Sequence, residues 1–574
     1  MHFNVWAPSA SRVDLVADGR LAPMGRAQRG WWSASDAAAG PGTRYAFSLD
    51  GGAPRPDPRS GSQPDGVLAP SEVVDHGAHL WRDGGWPGIR LAGSILYELH
   101  VGTFTRAGTF DAVVDRLPHL LALGVTAIEL MPVAEFSGDR GWGYDGVDLF
   151  APHHAYGGPA GLKRLIDACH SKGLGVLLDA VYNHLGPVGN FLSEFGPYLS
   201  GTHHTGWGAA LNFDGPGGAE VRRYVIDNAL MWLRDYHFDG LRLDAAHAIV
   251  DDSAVHVLEQ LAVEVAALGA ELGRSTVLIA ESDLNDPRFV LERDAGGYGL
   301  DGAWSDDWHH ALHSVLTGER TGYYADFGPL RSLAKALSNA WVYDGEWSEH
   351  RNRVHGGKTA GIADEQFVIA AQNHDQVGNR AAGERLASLA GEGGAKAAAA
   401  LLLTSPFTPM LFQGEEWACD SPFLYFTDHA DLGLAAAVRE GRRREFAAFG
   451  WDPKDAFDPQ DVSTFERSKL DWDELEEPSH QRMLSWYRAL IELRGTLDDR
   501  AHSGVGVEID EDARHLMFER DAIQVLVNLG ARDWQTSIDL RARLVLASDD
   551  GIEPAAGHVS LPPQGVAVLE DRDG

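Results

Sequence analysis

Ionisable side chains cluster where four apolar runs of the sequence should end as strands. In chain order they are Asp179, Asn183, His184; Arg242, Asp244, His247; Glu281; and Asn373, His374, Asp375. A lone Asp at such a point is commonly a helix cap. Arg242 and Asp244, however, lie two positions apart and so share one strand face, and burying such charges is costly unless they are paired or used. Charged groups at several strand ends therefore indicate an active site that works with carboxylates, histidines and an arginine.

The sequence patterns of several other enzyme chemistries are missing. No GxSxG elbow precedes a helix, and no HExxH zinc motif occurs. The glycine cluster at 391–396 follows helical sequence rather than a strand, so it does not predict a dinucleotide site. Adjacent histidine pairs occur at 153–154, 203–204 and 309–310, but sequence neighbours rarely ligate one ion. We expect neither a metal nor a cofactor.

The elements that must position these residues form a repeated pattern. Apolar strand-like runs alternate with helical patterns such as Leu162, Leu165, Ile166 and Cys169. The eight runs are 95–104, 125–133, 175–184, 240–247, 275–282, 302–308, 367–375 and 409–417. They predict an α/β fold with a (β/α)8 TIM-type barrel, whose active site lies at the C-terminal ends of the strands.

Shorter β-like patterns flank the barrel on both sides. Residues 1–50 alternate in polarity between turns, and four prolines within 53–66 rule out a regular helix there. Further β runs follow within 515–570. The predicted domains are an N-terminal β-sandwich with its Pro-rich linker (1–88), the catalytic barrel with an inserted loop region at 185–217 (89–498), and a C-terminal β domain (499–574).

Composition excludes two classes of partner. The 574 residues hold 48 Lys and Arg against 83 Asp and Glu, a formal net charge of −35. This surplus argues against nucleic-acid binding and against anionic membranes. Cys169 and Cys419 are too few for a disulfide framework or a Cys-based zinc site. Without a signal peptide or a long apolar run, the chain is expected to be cytoplasmic and to act as a monomer or homodimer.

Four short blocks resemble the α-amylase family of glycoside hydrolases. They are DAVYNH (179–184), GLRLDAAH (240–247), LIAESD (278–283) and QNHD (372–375), and MPVAEF (131–136) resembles an accessory block. The resemblance implies a retaining double displacement: Asp244 is the nucleophile, Glu281 the acid and base, and Asp375 the stabiliser of the transition state. Arg242 would keep Asp244 ionised. The other residues implied to bind sugar here are Tyr144, Asp145, His184, His247 and His374.

Longer stretches resemble those family members that release trehalose from maltooligosyl trehalose. Among them are 183–198, 242–256, 305–313 and 373–386. This resemblance implies hydrolysis of the α-1,4 bond next to the terminal trehalose. Trehalose has a bent 1,1-linkage and no reducing end, so its pocket needs several fixed polar groups. The candidates are Asp306, Asp307, His309, Gln376 and Asn379.

Three alternatives share the fold. A glycogen debranching hydrolase would cut α-1,6 bonds, and a branching enzyme would transfer the glycosyl group to a sugar acceptor. An inactive carbohydrate-binding scaffold is disfavoured because all three carboxylates are present. In every case the expected partners are α-glucans, and the sequence alone does not separate the first two alternatives from trehalose release.

Overall fold

The computed structural model describes residues 1–448, 457–497 and 505–570. Its N-terminal part holds β1 (His2–Trp6), β2 (Val13–Ala17), β3 (Arg20–Pro23), β4 (Gly25–Arg26), β5 (Trp31–Ser35), β6 (Arg44–Leu49) and β7 (Ser71–Glu72). They form two antiparallel sheets in the orders β1-β5-β4 and β3-β2-β6-β7. Alternate residues such as Phe3 and Val5 are buried between turns, so the predicted all-β character of this part is confirmed.

Fourteen strands lie in the described residues of the central part. They are β8 (Leu96–Leu99), β9 (Ala127–Leu130), β10 (Ala134–Glu135), β11 (Asp148–Pro152), β12 (Gly175–Ala180), β13 (Leu199–Thr205), β14 (Gly208–Leu211), β15 (Gly240–Leu243), β16 (Val277–Ala280), β17 (Gly302–Trp304), β18 (Asp344–Ser348), β19 (Arg353–Gly356), β20 (Phe367–Ala370) and β21 (Thr408–Phe412). Eight of them close a parallel barrel in the order β8-β9-β12-β15-β16-β17-β20-β21. Each corresponds to one predicted run, so the barrel is confirmed. Its interior is filled by apolar side chains such as Leu96, Leu177 and Ile279.

Fourteen α-helices lie in the described residues. They are α1 (Val101–Phe104), α2 (Phe110–Val114), α3 (Leu117–Leu123), α4 (Gly158–His170), α5 (Leu192–Phe195), α6 (Gly218–Asp235), α7 (Val257–Leu272), α8 (Asp306–Thr317), α9 (Leu330–Asn339), α10 (His374–Gly378), α11 (Leu386–Thr404), α12 (Leu432–Ala448), α13 (Val462–Arg467) and α14 (Pro478–Arg494). Helix α4 buries the predicted stripe, including Leu165 and Cys169. Within the described ranges, α11 alone is long and apolar enough to cross a membrane, and 67% of that window is buried inside the protein.

The predicted inserted loop at 185–217 is partly regular. It contains α5 and a hairpin of β13 and β14. The Pro-rich segment between β6 and β7 packs over this region and over α6, where Arg55 pairs with Glu194 and Arg59 pairs with Asp227. The insert is thus held against two neighbours and can carry side chains to the barrel mouth.

The C-terminal part forms two antiparallel sheets. Its strands are β22 (Gly506–Asp510), β23 (His515–Arg520), β24 (Ile523–Asn528), β25 (Trp534–Ser537), β26 (Arg543–Ala547), β27 (His558–Leu561) and β28 (Val566–Glu570). Arg520 on β23 donates hydrogen bonds to the backbone at the end of α11, which ties this part to the barrel. The predicted boundary between residues 498 and 499 lies outside the described residues.

Candidate active site

A buried guanidinium joins three carboxylates at the C-terminal end of the barrel. Arg242 on β15 is fully buried, and its guanidinium carbon lies 4.3 Å from the ring centre of Trp304. Its Nη1 is 2.8 Å from both oxygens of Asp179, the register neighbour on β12. The same Nη1 is 2.8 Å from Asp244 Oδ1, and Nη2 is 3.5 Å from Glu281 Oε2. Because parallel strands end at one edge, side chains distant in sequence share a single cation here.

Asp244 is the first residue after β15 and is held at both oxygens. Arg242 donates to Oδ1, while Asn183 Nδ2 donates to Oδ2 at 2.7 Å. The side chain is 13% exposed, so it is open to the barrel mouth on one side. Both oxygens of Asp244 are therefore held in one orientation while one side of the carboxylate stays accessible from the cavity, as a nucleophile requires.

Glu281 follows β16 and occupies a different environment. The backbone N–H of Ala245 donates to Oε2 at 2.5 Å. Ala245 adopts a left-handed conformation with φ of 39°, a strained arrangement for a residue with a side chain that turns this N–H toward the acid. Burial raises the pKa of Glu281 to about 8; Arg242 opposes the rise, and Asp244 is one of the neighbouring carboxylates that adds to it. A carboxyl group that stays protonated near neutral pH is suited to act as a general acid.

Asp375 lies on the opposite side of the mouth, in the first turn of α10. Its side chain is 46% exposed. Asn379 Nδ2 donates to Oδ1 at 3.2 Å, and His374 Nε2 is 3.4 Å from Oδ2. Burial opposes protonation of His374, but the carboxylates of Asp375 and Glu98 outweigh it and raise the pKa of His374 to about 9. Tyr144 completes this side with its hydroxyl 2.7 Å from His374 Nε2.

These groups surround a cavity of about 440 Å³, a size typical of ligand sites. Nine of the predicted residues line it: Tyr144, Asp145, His184, Asp244, His247, Glu281, His374, Asp375 and Asn379. Six of the nine were predicted at strand ends, whereas Tyr144, Asp145 and Asn379 were expected from the family resemblance alone. Arg242 lies beneath the cavity and acts through its carboxylate partners.

Besides Arg242, four predicted substrate-binding residues are not among the described cavity-lining residues. Two of them require a correction. Asp307 is buried, and its Oδ2 accepts three hydrogen bonds at 2.7 Å from Asn285 and from the backbone of Val342 and Tyr343. His309 is likewise buried, and its ring nitrogens bond to the Ala371 carbonyl and the Tyr324 hydroxyl. Both predictions fail because the turn of α8 directs these side chains into the protein.

The other two, Asp306 and Gln376, form a pair beside the cavity. Gln376 Nε2 donates to Asp306 Oδ1 at 3.3 Å, and Gln376 Oε1 accepts the backbone N–H of Asn373. Burial raises the pKa of Asp306 to about 7, and neighbouring carboxylates, Asp375 foremost, add to the rise. Asp306 also contributes to the raised pKa of Glu281, so it lies within electrostatic reach of the acid.

The cavity also has walls that the sequence analysis missed. They are built by residues of three segments: 136–143, 425–429 and the helix α12; Trp207 of the β13–β14 hairpin also contributes. Trp207 is 57% exposed and stacks on His184 with ring centres 5.4 Å apart. The aromatic clusters GWGY and FLYF carried a signal for two of these segments. The charged, weakly amphipathic α12 carried none.

Among the described residues, two groups of three side chains each bring their potential metal-ligand atoms within 4.8 Å of one another. They are Glu135, His153, His154 and His203, Asp214, Asp252. In the first, His154 Nδ1 is 2.7 Å from Glu135 Oε1; in the second, His203 Nε2 is 2.9 Å from Asp214 Oδ2. Their own hydrogen bonds account for both groupings, and neither group is among the described cavity-lining residues.

A closed parallel barrel between two sheet regions, with two carboxyl groups at its mouth joined by one arginine, defines a glycoside hydrolase of the α-amylase type. Residues 65–196 match the family described as Alpha amylase, catalytic domain. The fold resembles a pullulanase from Bacillus acidopullulyticus, with a TM-score of 0.73 at 18% identity over 99% of this chain and 73% of that one. A crystal structure of a proposed alpha amylase from Salmonella typhimurium is more similar, with a TM-score of 0.91 at 39% identity over 99% and 97% of the two chains.

Full-length relatives identify the branch of this family. A malto-oligosyltrehalose trehalohydrolase from Rhizobium sp. (strain M-11) is 49% identical over 99% of this chain and 97% of its own length. One from Mycobacterium tuberculosis (strain ATCC 25618 / H37Rv) is 47% identical over 96% of each chain. The chain therefore belongs to the malto-oligosyltrehalose trehalohydrolase family of α-amylase-type glycoside hydrolases.

Proposed function

We propose that the chain hydrolyses the α-1,4 glucosidic bond next to the terminal trehalose of a maltooligosyl trehalose and releases trehalose, as a step of trehalose biosynthesis. The choice of substrate is supported by the full-length relatives of that name. The chemistry is supported most directly by one observation: a single buried guanidinium lies 2.8 Å from Asp244 and 3.5 Å from Glu281.

The reaction has two displacements. In the first, an oxygen of Asp244 attacks the anomeric carbon, the bond from that carbon to the leaving oxygen breaks, and Glu281 gives its proton to that oxygen. Trehalose leaves, and the sugar remains bound to Asp244 as an ester. In the second, Glu281 takes a proton from water, whose oxygen displaces Asp244 from the same carbon. Two inversions retain the α configuration.

The surrounding groups divide the two carboxyls into these roles. Asp244 accepts hydrogen bonds from Arg242 and Asn183, whereas burial raises the pKa of Glu281 to about 8, so that Glu281 can carry the proton that it donates. Asp375 holds sugar hydroxyls and stabilises the positive charge that develops at the anomeric carbon. Retention requires the carboxyls of Asp244 and Glu281 to lie about 5–5.5 Å apart, with no room for water between them.

Product analysis tests this proposal. Incubation with maltotriosyl trehalose should yield maltotriose and trehalose, and proton NMR during the first turnovers should show the α anomer of maltotriose. Glu281→Gln serves as the inactive control. Release of linear chains from a branched glucan, without trehalose from the first substrate, would instead identify a debranching enzyme. Formation of new branches would identify a transferase.

The same proposal includes the organisation of the molecule. We place the domains at 1–88, 89–498 and 499–574, and the enzyme in the cytoplasm as a monomer or homodimer. The first boundary is supported by Gly88, whose φ is 78° and where a Cβ would lie 1.9 Å from the Ser275 carbonyl oxygen, so the linker is fixed tightly to the barrel base. Limited proteolysis tests the boundaries, and light scattering tests the oligomeric state.

A further inference from the structure

Helix α12 forms one wall of the cavity through two side chains. Arg442 and Glu445, three positions apart, both line the cavity. Arg442 is only 13% exposed, whereas its neighbours Arg443 and Arg444 face solvent. An arginine that is largely buried on an otherwise charged, exposed helix face is held there by specific contacts.

The contacts of Arg442 lead to the active site. Its Nη1 donates to Asn379 Oδ1 at 2.9 Å and to Glu445 Oε2 at 2.8 Å, and its Nη2 donates to the Gly378 carbonyl at 3.2 Å. The guanidinium also lies over the ring of Tyr425, 4.9 Å from its centre. The side chain is therefore fixed from several directions.

This arrangement determines which way the Asn379 amide points. A guanidinium only donates hydrogen bonds, so it selects the amide oxygen. The amide nitrogen is then directed to Asp375, where it donates to Oδ1 at 3.2 Å. In the opposite orientation the amide oxygen would face a carboxylate, and the amide nitrogen would face the guanidinium. Both contacts would be repulsive.

We propose that Arg442 is a positioning residue that acts through Asn379 to hold the carboxylate of Asp375 in its working orientation. Without Arg442 the Asn379 amide loses the donor that anchors its oxygen, so the hydrogen bond from its nitrogen to Asp375 is no longer held in one geometry. The inference rests on the proposed role of Asp375 in the reaction, and it extends the active site to a helix outside the four sequence blocks that carry the family resemblance.

Kinetics of Arg442→Met, Arg442→Lys and Arg439→Met test the inference. Arg442→Met should lower kcat about 10- to 100-fold with little change in KM. The reason is that the Asn379–Asp375 hydrogen bond is weakened, so Asp375 stabilises the transition state less well. Arg442→Lys retains one charged donor for the Asn379 oxygen but not the planar fork, so it should lose activity less severely than Arg442→Met. The control, Arg439, is on the same helix and pairs with Asp458 at 2.7 Å, but it is not among the cavity-lining residues. Arg439→Met should leave kcat unchanged, because it removes an ion pair of the same helix but not the contact with Asn379. This control separates a general loosening of α12 from the loss of the Arg442–Asn379–Asp375 hydrogen bonds.

A double-mutant cycle provides the second readout. In the Asn379→Ala background, adding Arg442→Met should change kcat by less than about twofold, because the amide that links Arg442 to Asp375 is already missing. Adding Glu445→Gln to Arg442→Met removes the carboxylate left without its partner and should not restore activity. Additive losses in the cycle would overturn the proposal. So would a raised KM at unchanged kcat, which would mean that Arg442 binds substrate directly.

The role of Arg442 can be tested independently of the proposed substrate. All variants are assayed on both maltotriosyl trehalose and maltopentaose, and the thermal midpoint of each is recorded. Absence of trehalose with the wild type would refute the proposed function, while the ratio of variant to wild-type rates on the glucan that is cleaved would still decide the role of Arg442. If Arg442→Met does not fold, Asn379→Asp keeps the side-chain shape but places an acceptor against Asp375. Wild-type activity in that variant would overturn the inference.

Discussion

Replacing Asp244 by Asn changes one acceptor oxygen into a donor with almost no change in shape. In the structure Asp244 Oδ1 accepts from Arg242 Nη1 at 2.8 Å, and Oδ2 accepts from Asn183 Nδ2 at 2.7 Å. Whichever way the new amide turns, its nitrogen faces one of these two donors. The amide of Asn183 is not free to rotate in compensation, because its own oxygen is hydrogen-bonded to His184 Nδ1.

The structure therefore gives an expected size for two effects of Asp244→Asn, one on stability and one on turnover. One buried donor loses its acceptor, which costs about 1–3 kcal/mol of unfolding free energy. In a barrel of this size, a shift of about 1–2 °C per kcal/mol gives a thermal midpoint lower by about 1–6 °C. The loss of turnover should be far larger, about 10⁴-fold or more, because the amide cannot form the glycosyl-enzyme ester.

Calorimetry and initial rates of trehalose release from maltotriosyl trehalose measure the two effects on one preparation. Asp244→Ala is the matched variant, since it removes both acceptor oxygens without adding a donor. Mass spectrometry excludes deamidation back to the carboxylate. If Asp244→Asn retained more than a few per cent of wild-type turnover, the assignment of the nucleophile would be wrong. An unchanged midpoint would contradict the hydrogen-bond argument.

Three further predictions concern pH, selectivity and stability. Glu281 must be protonated in the first step and its pKa is raised to about 8, so kcat/KM should be level just below that pH and fall about tenfold per unit above it; a flat profile to pH 10 would exclude Glu281 as the acid. Asp306→Ala should reduce cleavage of maltotriosyl trehalose more than cleavage of maltopentaose, and equal losses would mean that Asp306 does not help to recognise trehalose. Asp307→Ala should lower the unfolding free energy by about 2–4 kcal/mol, because three donors lose their acceptor. Unlike Asp306→Ala, it should change the measured rates on the two substrates by the same factor.

The barrel and the positions of its candidate carboxylates follow from local features of the sequence. Each strand is a short apolar run, and each candidate carboxylate stands where such a run ends, so periodicity and strand polarity together place Asp244, Glu281 and Asp375 at one rim. Family resemblance then suggested their roles. Helix α7 shows the limit of such reasoning. Ala254 and Leu258 fit the spacing of one apolar helix face, but the helix begins at Val257 and Ala254 is exposed.

The direction of side chains on the loops and peripheral helices could not be predicted from the sequence. Asp306 and Asp307 are adjacent and chemically alike, yet one lies within electrostatic reach of Glu281 and the other is used to hold backbone N–H groups. The turn of α8 and the packing of residues 342–343 make that difference. Arg442 stands 67 positions after Asp375 in the chain and reaches Asn379 only because α12 lies across the cavity.

The fold class, the barrel strands and the positions of the candidate carboxylates can be predicted from the sequence, because they depend on near-neighbour patterns of polarity. The three-dimensional packing was needed to show how the cavity is closed and which polar side chains face it. It was also needed to show that one guanidinium serves Asp179, Asp244 and Glu281 together. The physical reason is that hydrogen-bond partners and burial are set by groups far apart in the chain, whose approach depends on the packing of the whole molecule.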